Sequence, residues 1–282
     1  MPKLAIIEGN HEGLIGIKNG KIYGAAEGFA ACLKSIDNEL DIKIVRPHFD
    51  NHQLHDDIFS DCDGVVFTGS ANYWSADDTE AAPARDVMAL AFKKQKPVFG
   101  SCYGLQLAVT VLGGRNHANP VKTEFAIARD ITINEAGKSH ALYQGKPDIF
   151  HARCMHRDEV LDLPTGAICL SSNEHSDYQS VVFEKQGIHF WGVQYHPELQ
   201  FSDIAAYIEK NDVDSFADAK NFAQELSLDV TISDVVADFR TLDRVNTHLH
   251  QKYQIDETLL NDTIHQQELK NFLHFISQNA TA

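Results

Sequence analysis

A cysteine between two glycines is the residue of this sequence best placed for nucleophilic chemistry. The stretch Gly-Ser-Cys-Tyr-Gly-Leu-Gln, residues 100–106, follows the apolar run 97–99 and leads into the apolar segment 105–112. This order predicts a buried strand, a sharp turn and a helix, which is the arrangement of a nucleophile elbow. Glycines permit a tight turn, and the positive end of a helix dipole favours a thiolate. We therefore predict that Cys102 is a nucleophile.

A thiol nucleophile needs a base, and the base needs a third group that fixes its orientation. The sequence has 15 histidines, so residue type alone identifies none of them. The segment Tyr-His-Pro-Glu, residues 195–198, follows the apolar run 190–193 and should leave the sheet where that strand ends. Because proline restricts the intervening backbone, we expect His196 and Glu198 to meet by hydrogen bond.

The elements that carry these residues follow an alternating pattern in the first part of the chain. Strands and helices alternate through residue 112, which predicts a mostly parallel sheet with helices on both faces. The glycine-rich segment 9–24 is predicted to be a loop over the carboxyl edge of the sheet, where open α/β sheets bind ligands. The predicted strands are 3–8, 41–45, 64–68 and 97–99, and the predicted helices are 25–38, 86–94 and 105–112.

The pattern changes after residue 112. Strands predicted at 125–133, 167–170, 180–183 and 189–194 lack intervening helices, which indicates a mixed or antiparallel extension of the sheet. A helix is expected at 203–210, and a last helix at 262–278 has apolar residues at helical spacing. We predict a catalytic α/β domain at 1–210 and a helical C-terminal extension at 211–282, packed on the main domain or on a partner.

Composition narrows the class of protein. A chain of 282 residues, 43% of them hydrophobic, can build one large domain with a small appendage. The net charge of −16 argues against a nucleic acid or an anionic membrane as partner. We expect a cytoplasmic protein, because neither a membrane-spanning run nor a signal-peptide pattern is evident. Five scattered cysteines without a CxxC pair predict reduced thiols.

Cofactor sites are not evident in the sequence. His48, His52 and His55 have spacings that could place a metal on a helix, but no fourth ligand is evident, and a solvated polar face is the simpler interpretation. The segment 9–24 lacks the glycine patterns of dinucleotide and phosphate loops. We therefore expect neither a metal nor another cofactor.

Two motifs carry a family resemblance. The segments Gly-Ser-Cys-Tyr-Gly-Leu-Gln and Val-Gln-Tyr-His-Pro-Glu together resemble the signatures of the class I, or triad, glutamine amidotransferases, and the resemblance covers about residues 1–205. It implies a flavodoxin-like fold of that family. It also implies that Cys102 is the nucleophile, that His196 is the base and acid, and that Glu198 orients His196.

The resemblance further implies a binding site around these three residues. The backbone amides of Gly69 and Tyr103 would form an oxyanion hole. Gln106 and Ser70 would bind a small-molecule γ-glutamyl substrate. His156 would either line the substrate pocket or have a structural role.

The implied reaction is attack of a thiolate on a γ-glutamyl amide, followed by hydrolysis of a γ-glutamyl thioester to glutamate. One alternative is a stand-alone hydrolase of γ-glutamyl-amines such as polyamine, peptide or anilide conjugates. Another is a glutaminase subunit that releases ammonia for a separate synthetase partner. A third is an inactive ligand-sensing or scaffold protein, and a homo-oligomer stays open. Three features favour the hydrolase, because they could shape a pocket for the leaving amine. They are the helical tail, the glycine-rich loop and a set of aromatic residues near the expected opening of the active site. These aromatic residues are Tyr23, Phe29, Tyr73, Trp74 and Tyr103.

Overall fold

The computed structural model describes residues 2–18, 21–49, 54–119, 123–209, 213–242 and 244–279. His52, considered above as a metal ligand, lies outside these residues. So does residue 211, where the helical extension is predicted to begin.

Short strands and helices alternate along the first part of the chain, and strands follow one another in the middle part. The strands are β1 (Lys3–Ile7), β2 (Gly16–Lys18), β3 (Lys21–Tyr23), β4 (Asp41–Val45), β5 (Gly64–Phe67), β6 (Val98–Ser101), β7 (Arg115–Ala118), β8 (Glu124–Ile133), β9 (Ile149–His156), β10 (Asp158–Asp162), β11 (Ile168–Ser172), β12 (Ser180–Lys185) and β13 (Ile188–Val193). The helices are α1 (Ala25–Ile36), α2 (Ala82–Lys93), α3 (Tyr103–Val111), α4 (Glu135–Lys138), α5 (Phe201–Ile208), α6 (Val213–Glu225), α7 (Ile232–Thr241), α8 (Thr247–Tyr253), α9 (Glu257–Leu260), α10 (Asp262–His265) and α11 (Gln267–Asn279).

One large sheet organises the molecule. Within the described residues, nine strands form it in the order β4-β1-β5-β6-β13-β12-β11-β8-β9. The strands β4, β1, β5, β6 and β13 run parallel to one another. The strands β12, β11, β8 and β9 continue the sheet by antiparallel pairing. This confirms the predicted α/β fold with its parallel sheet and its antiparallel extension.

The apolar strand β1 shows why the sheet is covered on both sides. Leu4 and Ile6 point into a core that α1 and α11 cover, whereas Ala5 and Ile7 point into a core that α2 and α3 cover. Successive side chains of a strand face opposite sides, so a strand buried on both faces must be apolar throughout.

The C-terminal helices pack on this sheet. Helix α11 buries Leu269, Phe272 and Ile276 in the same core as Leu4 and Ile6. Helices α5 to α8 form a third core over Phe125 and other apolar residues of β8. The division into domains at 1–210 and 211–282 stays a prediction.

The single helix predicted at 262–278 is wrong. Helix α10 ends at His265 and α11 begins at Gln267, with Gln266 between them at φ −96° and ψ 15°. The Lys146 Nζ donates to the carbonyls of Ile264 and His265. The break is therefore stabilised by a contact from residues that are distant in the sequence.

Strands β2, β3, β7, β9 and β10 were not anticipated. Strands β2 and β3 pair antiparallel inside the segment 9–24, which was predicted to be a loop. Strand β9 has the sequence Ile-Phe-His-Ala-Arg-Cys-Met-His, whose polar residues hide the pattern of a buried strand. Arg153 is nevertheless buried there. Its guanidinium donates to the carbonyls of Leu199 and Leu259 at 2.6 Å each, and these hydrogen bonds replace those lost to water.

The parallel order brings the ends of all five parallel strands to one edge, where β4 ends at Val45. Strands β1, β5, β6 and β13 all end there, at Ile7, Phe67, Ser101 and Val193.

Among the described residues, none of the helices is long and apolar enough to cross a membrane.

Candidate active site

Cys102 lies at a sharp turn between β6 and α3. Its backbone has φ 50° and ψ −102°, an angle pair that residues other than glycine rarely adopt. A Cβ on Gly100 would lie 2.6 Å from the carbonyl carbon of Gly104, and one on Gly104 would lie 2.6 Å from the carbonyl oxygen of Phe67. The elbow therefore requires both glycines because helix and strand approach too closely for a side chain.

His196 and Glu198 form a hydrogen-bonded pair just beyond β13. The Nδ1 of His196 lies 2.7 Å from Oε1 of Glu198. The thiol of Cys102 interacts with the imidazole and raises its pKa, and its Sγ lies 3.8 Å from the carbonyl oxygen of Met155. All three residues are buried, with exposed fractions of 4% for Cys102, 6% for His196 and 8% for Glu198. The structure therefore brings together the three residues that sequence reasoning selected.

Ser101 supports this pair and was missed by sequence reasoning. Its Oγ lies 3.1 Å from Oε2 of Glu198 and 3.1 Å from the carbonyl oxygen of Tyr195, and it can donate its one hydrogen to either. The pairing of Ser101 with Val193 places it beside the end of β13. A polar residue at the end of an apolar strand, directly before the nucleophile, is the signal that could have identified it.

Glu198 controls the protonation of His196. Burial alone lowers the pKa of the imidazole, but the charge of Glu198 and hydrogen bonds with Cys102 and Glu198 outweigh it and raise the pKa from 6.5 to about 10. The charged pair therefore stabilises the fold fully below pH 6.5, and this contribution is lost as pH rises through about 10.

Replacing Glu198 by glutamine removes the charge that raises this pKa. For Glu198→Gln we expect the alkaline limit of activity to fall from near pH 10 toward pH 6.5. We also expect a fall of roughly 100-fold in kcat, because oriented acid–base catalysis contributes at least that much. The measurement is the pH profile of kcat with γ-glutamyl-p-nitroanilide. Glu135→Gln, at an exposed glutamate of α4, is the matched control. An unchanged alkaline limit in Glu198→Gln would contradict this role.

Gly69 follows β5 and lies against His196, and Tyr103 directly follows Cys102. A Cβ on Gly69 would lie only 2.4 Å from Cε1 of His196, so the loop after β5 rests directly on the imidazole. Tyr103 begins α3, and the first N–H groups of a helix have no partner within it. Their role as oxyanion donors stays a prediction, which this proximity supports.

Hydrogen bonds join the loop after β1 to the loop that carries Gly69, and these contacts were not predicted from the sequence. The Oγ1 of Thr68 accepts from the Gly9 N–H at 3.0 Å and donates to the Gly69 carbonyl at 2.8 Å. The Oδ1 of Asn10 accepts from the Ala71 N–H at 2.8 Å. Neighbouring strand ends thus fix the backbone that faces His196.

A cavity of about 370 Å³ opens above Cys102. It is lined by Ser70, Tyr103 and Gln106 near the elbow and also by residues of β8, β9, α5 and α6. The latter include Phe125, Met155, Tyr207, Ala217 and Asp218. The cavity is large enough for a γ-glutamyl compound that extends beyond glutamine.

The residues predicted to bind substrate line this cavity, but two of them are already engaged. The Nε2 of Gln106 donates to the Asp158 carbonyl at 2.7 Å. His156 places Nε2 2.7 Å from Glu124 and Nδ1 3.2 Å from the Asp158 carbonyl. Because both ring nitrogens have protein partners, His156 has only ring carbons to present to a ligand. The roles of Ser70, Gln106 and His156 in binding stay predictions.

The prediction that aromatic residues lie at the opening of the site is partly correct. Tyr73, Trp74 and Tyr103 line the cavity, and the rings of Tyr73 and Trp74 pack edge-to-face at 4.9 Å. The expectation for Phe29 is wrong, because this residue is fully buried in the core beneath α1. Tyr23 is not among the described residues that line the cavity.

Metal ligation finds no support in the part of the chain that the structure describes. There, no three histidine, cysteine, aspartate or glutamate side chains are grouped so that they could hold an ion.

Curated proteins with related sequences include hydrolases and synthetases. The chain is 31% identical over 156 residues to the γ-glutamyl-L-1-hydroxyisopropylamide hydrolase of a Pseudomonas species, covering 53% of this chain and 51% of that protein. It is 26% identical over 156 residues to one of the subunits of the glutamine-hydrolysing GMP synthase of Methanopyrus kandleri, covering 55% of this chain and 77% of that protein. The match thus spans about half the length of the Pseudomonas hydrolase.

Solved structures show the same fold over nearly the whole chain. A glutamine amidotransferase of Thermotoga maritima matches with a TM-score of 0.63 at 17% identity, covering 98% of this chain and 97% of that one. A glutamine amidotransferase of Methylobacillus flagellatus matches with a TM-score of 0.57 at 17% identity, covering 90% of this chain and 94% of that one.

A family model matches the larger part of the chain. The model of the class-I glutamine amidotransferase family matches residues 27–215, which include the elbow, the Gly69 loop and the His196 turn. With this match and the common fold, the chain belongs to the class-I glutamine amidotransferases.

Proposed function

We propose that this protein is a cysteine-dependent hydrolase of γ-glutamyl amides, which converts a γ-glutamyl-amine and water into glutamate and the free amine. The observation that carries the proposal is the arrangement of Cys102 with the His196–Glu198 pair on the floor of a cavity. The γ-glutamyl-L-1-hydroxyisopropylamide hydrolase of Pseudomonas, 31% identical, supports the reaction class.

The first step forms a γ-glutamyl thioester. The Sγ of Cys102 attacks the γ-carbonyl carbon, and the carbonyl oxygen takes up negative charge that the N–H groups of Gly69 and Tyr103 stabilise. His196 then donates its proton to the amide nitrogen, the C–N bond breaks and the amine departs. Glu198 keeps the imidazolium in place because it accepts from Nδ1 at 2.7 Å.

The second step hydrolyses the thioester. His196, now neutral, takes a proton from a water molecule that attacks the same carbonyl carbon. The C–S bond breaks, glutamate is released and Cys102 returns as the thiolate beside protonated His196. The burial of all three side chains keeps their mutual electrostatic interactions strong.

The part of the cavity lining that lies outside the elbow favours a substituted amine as the leaving group. Ala217 and Asp218 of α6 line the cavity, yet both lie beyond the family match at residues 27–215. Phe125 and Met155 add apolar surface, as do Tyr73 and Trp74 on the lip. A pocket lined by these apolar side chains suits an amine that carries apolar atoms.

A second candidate is a glutaminase subunit that supplies ammonia to a separate synthetase. The similarity to a component of the Methanopyrus GMP synthase, at 26% identity and 77% coverage of that protein, favours it. The two candidates differ in substrate. Glutamate release should be measured with glutamine and with γ-glutamyl-polyamine, peptide and anilide substrates. Preference for a substituted amide supports the hydrolase, whereas weak glutaminase activity that a partner protein stimulates supports the second candidate.

A bulky residue at position 217 should discriminate between large and small leaving groups. For Ala217→Phe we expect the KM for γ-glutamyl-p-nitroanilide to rise roughly 10-fold, since lost pocket complementarity of this size costs about 1–3 kcal/mol. The KM for glutamine should be nearly unchanged, because ammonia is a far smaller leaving group. Ala237→Phe, on the exposed face of α7 outside the cavity, is the control. Equal effects on both substrates would contradict the placement of the amine against α6.

A further inference from the structure

The turn that carries His196 is bracketed by one buried arginine. The His196 N–H donates to the Arg153 carbonyl at 2.8 Å. The Arg153 guanidinium donates to the carbonyl of Leu199, at the other end of the turn, and to that of Leu259 in α9, both at 2.6 Å. The catalytic turn is therefore joined to the C-terminal helices through a side chain of β9.

His265 contacts the same turn from the C-terminal side. It is fully buried, and its Nε2 lies 3.2 Å from the carbonyl oxygen of His196. Burial lowers the pKa of His265 well below its ordinary value, and the nearby cations Arg153 and Lys146 lower it further. His265 is thus neutral, and because a carbonyl can only accept, Nε2 carries the proton. Among the described residues, its Nδ1 has no hydrogen-bond partner.

Glu268 holds the residue before His196. It is fully buried and accepts a hydrogen bond from the Tyr195 hydroxyl. Its charge is balanced by the Lys146 Nζ at 2.9 Å, with both side chains buried completely. The Tyr143 hydroxyl lies 3.0 Å from that of Tyr195 and completes the network.

The chemistry of this network favours positioning over stability. A buried ion pair adds little stability compared with apolar residues of the same volume, because both charges lose their hydration. Its best-supported use is to select one arrangement of the groups around it. Here the pair selects the position of Tyr195, and His265 selects that of the His196 carbonyl.

We propose that His265, Glu268, Lys146 and Arg153 form a clamp that fixes the turn of residues 195–199, and that His265 and Glu268 are positioning residues for the reaction. The proposal rests on the proposed function, since it assigns the clamp to the imidazole that serves Cys102. His265 and Glu268 lie beyond the family match at residues 27–215. A misplacement of about 1 Å at a reacting group can cost roughly 100-fold in rate.

The test replaces His265 in the full-length protein. For His265→Leu we expect kcat with γ-glutamyl-p-nitroanilide to fall roughly 10- to 100-fold with little change in KM, because the substrate pocket is untouched. His265→Gln, which restores an N–H donor at a similar distance, should recover most of this loss. His274→Leu, at an exposed histidine of α11, should behave as the parent protein.

A second readout needs no turnover. The rate of Cys102 alkylation by iodoacetamide depends on the imidazole beside the thiol, and Cys102→Ser gives the background from the other cysteines. We expect a slower rate in His265→Leu and recovery in His265→Gln. If the parent protein hydrolyses no amide, the proposed function fails, while alkylation still tests the clamp.

A variant that removes a single oxygen protects the test against misfolding. Tyr195→Phe deletes only the hydroxyl that donates to Glu268, and we expect roughly 3- to 10-fold slower alkylation and turnover, the worth of one hydrogen bond. If folded His265→Leu and Tyr195→Phe both react with iodoacetamide and substrate at the parent rate, the clamp is overturned.

Discussion

Cys102→Ala is expected to abolish hydrolysis of every γ-glutamyl amide that the parent protein cleaves, with a fall in kcat on the order of a million-fold. The thioester cannot form without Sγ, and His196 and Glu198 are then left without a group to activate. The methyl group of alanine fits the strained turn at φ 50° no worse than the cysteine side chain does. The melting temperature should therefore change little. Glutamate release and thermal unfolding measure the two effects.

Cys169→Ala is the matched control for the loss of a thiol. Cys169 is only partly buried, its Sγ lies 3.4 Å from the carbonyl oxygens of Ser171 and Asp177, and it is not among the described residues that line the cavity. Its removal should leave kcat unchanged. Acid quenching followed by mass spectrometry should detect a γ-glutamyl adduct on Cys102 in the parent protein and in Cys169→Ala, but no adduct at position 102 in Cys102→Ala. Retention of turnover in Cys102→Ala would falsify the covalent mechanism.

Gly69→Ala is expected to lower kcat roughly 100- to 1,000-fold, the size of effect seen when one oxyanion donor is lost. The new Cβ would lie 2.4 Å from Cε1 of His196, a distance that real Cβ contacts do not show. His196 cannot easily retreat, because Glu198 and the backbone carbonyl of Arg153 hold it. The loop must therefore shift, and the Gly69 N–H shifts with it. Steady-state kinetics with γ-glutamyl-p-nitroanilide measure the loss.

Gly28→Ala tests whether any added methyl group would have the same effect. A Cβ on Gly28 meets no atom within 4 Å, and the residue lies inside α1. Alanine in a helix is more stable than glycine by about 0.5–1 kcal/mol, so this variant should be slightly more stable and equally active. If Gly69→Ala were as active as Gly28→Ala, Gly69 would not contribute to the oxyanion site.

The elements that line the cavity differ in part from those that carry the candidate catalytic residues. The ends of β5, β6 and β13 carry the candidate catalytic residues at one sheet edge, whereas α5 and α6 contribute Tyr207, Ala217 and Asp218 to the cavity lining. If the proposed function is correct, reaction and leaving-group selection depend on different parts of the chain. We then expect changes in α6 to alter the preferred amine without displacing Cys102.

The parallel half of the fold was predictable because its signals are local. The apolar run of β1 and the glycines of the elbow report burial and close approach directly. Strand β9 was missed because Arg153 looks like a surface residue until its carbonyl partners at residues 199 and 259 are known. The break before α11 was missed for the same reason, since Lys146, more than 100 residues away, satisfies the carbonyls there.

By itself, the sequence determined which residue types could do the chemistry. Cys102, His196 and Glu198 stand in short segments whose glycines, proline and apolar neighbours restrict the backbone locally. Only the tertiary structure decided that Ser101 supports Glu198, that α6 closes the cavity, and that His265 and Glu268 hold the His196 turn. The physical reason is that a polar side chain is buried where a partner satisfies its hydrogen bonds. That partner can stand at any distance along the chain, and only folding brings the two together.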